Sequence, residues 1–291
     1  MKSRLGPYVH RAIKAAVPNV ILRKAMSLLP RRWVIKYQEL GFSFHFAVYP
    51  RDGGDFQLLF RHETEARKEL AKWVVPGDVV LDIGAHHGLY TLPLSRLVGQ
   101  GGRVHAFEPH PVNVEKLREN VALNGLSNVL VNQVAVSEQR GVSRFNYGNS
   151  STVSSLKRLS KQRDDWHEVE TVTIDDYLET AGVERASFVK IDVEGAEDWV
   201  LSGMETTLAR GLPTILLEFH CFAFQEEARA SRMFDNLFDR LGYVGKILYV
   251  MDIGKYRKAQ QHIPILSYRE LRSVTSGAHV VGVLLYPPTR H

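Results

Sequence analysis

From Val79 onward, short apolar runs recur with room for a helix between several of them. The runs are Val79 to Ile83, Arg103 to Phe107, Val129 to Val136, Phe188 to Val193, Thr214 to Phe219, Lys246 to Met251 and His279 to Tyr286, each of strand length. Stretches of helical period cover Leu89 to Leu97, Pro111 to Asn124, Ala196 to Leu208 and Ala228 to Leu241. Pro111 suits a first helical turn and Gly125 the position just past a helix end. Strands alternating with helices predict an α/β fold with a seven-stranded, mostly parallel sheet and helices on both faces.

Ahead of this body the pattern differs. Residues 8 to 36 read as short amphipathic helical pieces broken at Pro18 and Pro30, with Val9, Ile13, Val17, Ile21, Leu22 and Leu28 on the apolar side. Phe42 to Tyr49 alternates like a strand, and a Gly53-Gly54 turn would return Phe56 to Phe60 as its hairpin partner. Glu63 to Trp73 reads as a helix stopped by Pro76-Gly77. The expected division is a helical and β-hairpin extension over residues 1–75 and a main domain over 76–291. The polar stretch from Asn149 to Glu170 fits neither period and reads as a mobile loop.

Composition narrows the class. The 291 residues are 44% apolar and 24% charged, enough to bury a full core, which excludes a disordered or collagenous chain. No apolar run approaches the roughly 18 residues of a membrane span. Cys221 is the only cysteine, so an intrachain disulfide and a thiol-based zinc site are excluded and a reducing cytoplasm is the default. The net charge of +5 is uneven: nine of the 37 basic residues precede the first acid, Glu39, leaving 28 against 32 acids, or −4, for the rest. Three readings fit the basic segment of residues 1–36: a solvated helix packed on the main domain, a surface for anionic lipid giving peripheral membrane contact, or an organelle transit peptide. A nucleic-acid partner is not expected of an acidic body.

Ligands of an open α/β sheet bind beyond the carboxyl ends of its strands. The first such end reads Asp82-Ile-Gly84-Ala85-His86-His87-Gly88, a glycine turn lacking the third glycine of the dinucleotide fingerprint. Glu108 ends the second strand, about 20 residues on, where a carboxylate could clamp ribose hydroxyls of an NAD or adenosyl ligand. At the fourth, Lys190-Ile-Asp192-Val-Glu194-Gly-Ala-Glu197 puts Lys190, Asp192 and Glu194 on a common face.

Together with Gln133-Val134-Ala135-Val-Ser137 and the Glu108-Pro109-x-Pro111-x-Asn113 run, these motifs resemble the FkbM-like family of class I S-adenosylmethionine-dependent methyltransferases. The resemblance spans Val79 to His220, and the Lys190 to Glu197 octet is its specific part. It implies a Rossmann-like sheet, with Asp82, Gly84, Ala85 and Gly88 lining the methionine portion of S-adenosylmethionine and Glu108 on the ribose. Gln133, Val134 and Ala135 would flank the adenine, and Asp192 would face the amino group or sulfonium. His86-His87 is read as loop, not as a metal site.

Methyl transfer to a hydroxyl calls for a base. Leu217-Glu218-Phe-His220 ends the next strand with Glu218 and His220 on one face, beside Asp192, so the catalytic set is Asp192, Glu218 and His220, with His220 the base candidate and a satisfied structural histidine its alternative. Asp192 and Glu218 could hold magnesium, but two carboxylates are few and no metal is expected. Cys221 points to the opposite side of the strand. The expectation is an O-methyltransferase acting on a sugar, polyketide or related small hydroxylated metabolite. Lys157, Arg158, Lys161 and Arg163 hint at an anionic or lipid-linked acceptor. Alternatives are an NAD-dependent dehydrogenase, a nucleic-acid methyltransferase and a non-catalytic adenosyl-binding scaffold.

Overall fold

In the computed structural model, which describes residues 32–49, 64–146, 166–224, 226–252, 255–258 and 264–288, the strand expected at Phe42 to Tyr49 forms with a partner the sequence reading missed. Strand β1 (Trp33–Glu39) runs antiparallel to β2 (Phe42–Val48), Glu39 opposite Phe42. Leu40 and Gly41 join them at φ +51° and +83°, the double left-handed conformation of a two-residue turn whose twist matches that of its strands. Among the described residues the partner of β2 is β1; Phe56 to Phe60, expected to return as its hairpin partner, lies outside them, as do the helical pieces expected before residue 32. Trp33 to Lys36, expected as the end of a helical piece, is strand, with Trp33, Ile35 and Tyr37 half-buried and the residues between them exposed.

The chain divides into two compact units, Met1–His62 and Glu63–His291. Helix α1 (Thr64–Trp73), expected in the extension, falls in the second unit. That unit continues with β3 (Val79–Ile83), α2 (Thr91–Val98), β4 (Arg103–Phe107), α3 (Pro111–Leu123), β5 (Val129–Asn132), β6 (Ala135–Val136), β7 (Gly141–Asn146), β8 (Trp166–Val172) and α4 (Ile174–Thr180). There follow β9 (Phe188–Ile191), α5 (Glu197–Ser202), α6 (Glu205–Gly211), β10 (Thr214–Phe219), α7 (Glu227–Asp235), β11 (Val244–Asp252), β12 (Lys255–Lys258), β13 (Pro264–Ile265), α8 (Tyr268–Thr275) and β14 (Val280–Tyr286).

The main sheet has the order β12-β11-β14-β10-β9-β3-β4-β5, with β13 also on β11, so among the described residues it holds nine strands where seven were expected. The two additions are short and lie at the β11 edge. Strands β5, β4, β3, β9 and β10 are mutually parallel, and β14 is antiparallel to its neighbours β10 and β11. Strands β9, β10 and β14 are buried along their whole length, the signature of a sheet covered on both faces. Leu81, Ile83, Val189, Ile191, Ile215, Leu217, Val281 and Val283 form the centre of the core. The chain proceeds from β3 outward through β4 and β5, then returns to the other side of β3 for β9 and β10. The crevice at the carboxyl ends of β3 and β9 is thus the topological switch point.

Three further differences have local causes. The run Val129 to Val136 breaks at Gln133-Val134, and β6 leaves for a separate sheet ordered β6-β8-β7. Its middle strand β8 occupies part of the stretch read as loop, because only Val169 and Thr171 are buried and the exposed His167, Glu168 and Glu170 mask the alternation. The single helix expected over Ala196 to Leu208 is split at Gly203-Met204. A Cβ on Gly203 would stand 3.1 Å from the Ser137 carbonyl carbon and closer still to its oxygen, so the chain passes there in backbone contact.

Candidate active site

Asp82 and Lys190 stand opposite each other in the β3–β9 ladder. Asp82 is fully buried, accepts a 2.6 Å hydrogen bond from the Thr91 hydroxyl and lies 3.7 Å from the Lys190 ammonium. Burial raises its pKa, against the opposing pull of Lys190 and Thr91. The Lys190 ammonium also donates to the Gly84 carbonyl at 3.0 Å and to Asp192 at 3.2 Å, and sits 5.1 Å from the centre of the Tyr90 ring. Lys190 therefore ties the glycine turn to the end of β9. Gly84 itself has φ +79°, and a Cβ there would come 2.9 Å from the Asp192 carbonyl carbon and closer to its oxygen. Only glycine fits that approach.

Glu108 follows β4. Its Oε2 accepts the His86 backbone N–H at 2.9 Å, and its Oε1 accepts the His110 N–H at 2.9 Å and the Asn113 amide at 3.2 Å. Two carboxylate oxygens offer about four acceptor positions, so the chain itself uses three of them. Burial nevertheless pushes the Glu108 carboxyl up to about 7. His86 reaches Glu108 from a left-handed backbone, φ +50°, and its ring stacks on that of His87 at 3.7 Å. His87 is buried with Nε2 3.0 Å from the Asn113 side-chain oxygen. The pair shapes the turn.

His220 lies just beyond β10 and is 2% exposed. Its Nδ1 is 2.7 Å from Glu197 Oε1; its Nε2 is 3.4 Å from Glu194 Oε2 and 3.9 Å from both Asp192 Oδ1 and Glu218 Oε1. Burial alone would push this imidazole down, but Glu194, Glu197 and Glu218 outweigh it and hold the pKa well above 6.5. Glu218 is held in turn by the Tyr249 hydroxyl, which donates to Oε2 at 2.7 Å. Tyr249 sits on β11 and Glu218 on β10, each opposite Gly282 of the intervening β14. A Cβ on Gly282 would stand 2.5 Å from the Tyr249 Cζ, so the bare glycine is what lets the ring cross a strand.

The catalytic candidates Asp192, Glu218 and His220 are thus brought together, and among the described residues their ligand atoms form a group lying within 4.8 Å of one another. This donor set could receive a divalent cation. Adjacent donors on roughly 2.1 Å bonds stand about 3.0 Å apart, however, so the two 3.9 Å separations would have to close by about 1 Å. Of the other expected residues, Ala85 is buried against Ala106 and Leu117, and Gly88 has φ +93° in the same turn. Gln133 is exposed after β5, whereas Val134 packs on the core and Ala135 is buried in β6. Cys221 has its thiol pushed up to about 11 by burial.

Four participants have no role that the sequence alone makes legible. Lys190, Glu194 and Glu197 stand in the motif but gain definite partners only in three dimensions. Tyr249 is about thirty residues beyond Glu218, and its one signal was a glycine interrupting the β14 run.

The sequence profile of the Methyltransferase FkbM domain matches residues 82–245. The 31-O-demethyl-FK506 methyltransferase FkbM of Streptomyces tacrolimicus is 31% identical over 200 residues, covering 58% of this chain and 76% of that one. The 2-O-methyltransferase NoeI of Sinorhizobium fredii is 27% identical over 150 residues, 46% of this chain and 60% of its own length. Among solved structures, the methyltransferase FkbM of Methylobacillus flagellatus KT aligns with TM-score 0.44 and 14% identity, covering 97% of this chain and 60% of that one.

Proposed function

Because this chain belongs to the FkbM methyltransferase family and is an S-adenosylmethionine-dependent methyltransferase, we propose that its acceptor is a hydroxyl of a sugar, polyketide or related small metabolite. The observation that carries this reading is His220, buried at the switch-point crevice with one ring nitrogen on Glu197 and the other toward Asp192, Glu194 and Glu218. The printed names of two relatives, a 31-O- and a 2-O-methyltransferase, support oxygen as the atom methylated.

S-adenosylmethionine supplies a methyl group on a sulfonium, displaced in line by the acceptor oxygen as the carbon–sulfur pair returns to sulfur. The residues present suit such a ligand, with carboxylates beside a glycine turn and one acceptor position left on Glu108. Gly84, Ala85 and Gly88 would take the methionine portion, with Asp82 acting through Lys190. Glu108 would meet one ribose hydroxyl with its remaining position. Gln133 would flank the adenine by its side chain, and Val134 and Ala135 by their backbone. Asp192 would face the amino group or sulfonium. His220 Nε2 would take the hydroxyl proton, and the imidazolium so formed would be stabilised by Glu218 and Glu194, a charge-assisted arrangement worth far more when buried than in water.

The test is calorimetric titration with S-adenosylhomocysteine, followed by transfer of labelled methyl from S-adenosylmethionine to a panel of sugars and polyketide alcohols, on wild type and His220→Ala. Transfer to oxygen that the variant loses by about 100-fold or more, a typical general-base effect, is expected, with homocysteine-nucleoside affinity kept. Binding without transfer to any acceptor would instead leave the chain an adenosyl-binding scaffold.

A further inference from the structure

We propose that Glu197 is a positioning residue of the methyl-transfer step, fixing which nitrogen of His220 carries the ring proton and so presenting Nε2 to the acceptor. This rests on the base role given to His220 above. Glu197 is fully buried, and its Oε1 lies 2.7 Å from Nδ1 while also accepting the Gly195 N–H at 2.9 Å. An ionised carboxylate only accepts, so a neutral imidazole beside it keeps its proton on Nδ1 and leaves the Nε2 lone pair for the crevice. The opposite tautomer would set the Nδ1 lone pair 2.7 Å from the Glu197 oxygen, a closer repulsion than the Nε2 lone pair meets from Glu194 at 3.4 Å or from Asp192 and Glu218 at 3.9 Å.

The chain reaches this arrangement through two consecutive left-handed residues, Glu194 at φ +53° and Gly195 at φ +102°. A glutamate in that region is uncommon, and the cost is borne where the surrounding structure demands it. The bend sends Glu194 to Nε2 and Glu197 to Nδ1 from one short segment. An acid that merely favoured a helix start would do so from the surface; burying it completely costs free energy unless a partner compensates. The His220 Nδ1–H and the Gly195 N–H compensate at Oε1, while Oε2 is buried without a hydrogen-bond partner.

The charged groups facing His220 are Asp192 and Glu194 after β9, Glu197 on α5, Glu218 on β10 and His279 before β14, whose own pKa is lowered by burial and by the His220 charge. Removing one of the carboxylates should therefore move the His220 titration without erasing it.

The experiment is ¹⁵N imidazole NMR of His220 with S-adenosylhomocysteine bound, in wild type, Glu197→Gln and Glu197→Ala, together with pH profiles of methyl transfer to the hydroxylated panel. Wild type should titrate above pH 6.5 and, once neutral, carry its proton on Nδ1. Glu197→Gln keeps an acceptor oxygen but not the charge, so its acid limb should move down by about one pH unit, with the plateau within about tenfold of wild type. Glu197→Ala should mix the tautomers and drop the plateau by about 100-fold, at unchanged homocysteine-nucleoside affinity. A merely structural Glu197 would lower thermal stability and affinity together and leave the limb in place. An unmoved limb and an unmoved tautomer, with His220→Ala inactive, overturn this inference alone. Retained transfer in His220→Ala overturns the base reading and the role of Glu197 with it.

Discussion

Tyr249 and Gly282 should be energetically coupled. Placing a methyl group on Gly282 puts a Cβ 2.5 Å from the Tyr249 Cζ, against an ordinary contact of 3.4 Å or more, so the ring must retreat by about 1 Å. That motion overpacks a side chain that is 2% exposed, at about 1–3 kcal/mol, and breaks its hydrogen bond to the buried Glu218 carboxylate, at about 1.5–3 kcal/mol. Gly282→Ala should therefore destabilise by about 4 kcal/mol. Tyr249→Ala removes the ring and the hydrogen bond, at about 3–5 kcal/mol. In the double variant the methyl group occupies space the ring has left, and alanine is better than glycine in a strand by roughly 0.5–1 kcal/mol. The pair should cost about 4 kcal/mol and not the sum of about 8. Urea denaturation of the four proteins measures the cycle directly. Additivity to within about 0.5 kcal/mol would refute the reasoning, because it would mean that ring and glycine do not share that space.

Glu108 gives a pH signature. With a folded pKa of about 7 above an ordinary 4.5, its contribution to stability is fully present below pH 4.5 and falls as pH rises to about 7. The unfolding free energy of wild type relative to Glu108→Gln should fall by about 3 kcal/mol between those limits, and a pH-independent difference would exclude this account. Gly84→Ala forces the turn away from Asp192 and loses the Lys190 clamp, so calorimetry should show homocysteine-nucleoside affinity reduced by about 100-fold or more. Activity should survive exhaustive chelation with EDTA, since the 3.9 Å from His220 to both Asp192 and Glu218 exceeds the roughly 3.0 Å between adjacent octahedral donors; loss of transfer that manganese or magnesium restores would make them ligands instead. With its thiol at about 11, Cys221 should react with iodoacetamide at pH 8 far more slowly in the native protein than in urea.

The main sheet was legible because both of its faces are covered, which makes β3, β4, β9, β10 and β14 nearly continuous apolar runs that stand out from the helices between them. The parallel order also follows from alternation with helices, and it puts Asp82, Glu108, Asp192 and Glu218 at strand ends of one edge before any coordinate is known. Strands with one solvated face were legible only in part: β2 shows its alternation, whereas β1 and β8 do not stand out. Strand β8 carries Glu168 and Glu170 outward within a stretch whose polarity predicts loop, and β1 begins inside a basic segment whose period predicts helix. Short-range pattern records how much of a segment is buried, not what it pairs with.

The same limit applies within the site. Adjacency along the chain was enough to mark the acids and the histidine, since they are covalently close to the strand ends that bear them. It could not show that three of the roughly four acceptor positions of Glu108 are taken by donors of its own chain, nor that Glu197 turns inward to a histidine 23 residues away. Nor could it show that Tyr249 reaches Glu218 across Gly282. These pairings depend on strand register and on two left-handed residues at Glu194 and Gly195. Sequence by itself determined the layers and the chemistry available at their edge. Tertiary structure alone decided which buried charges face one another, because a charge removed from water is stable only beside partners that the whole fold must bring to it.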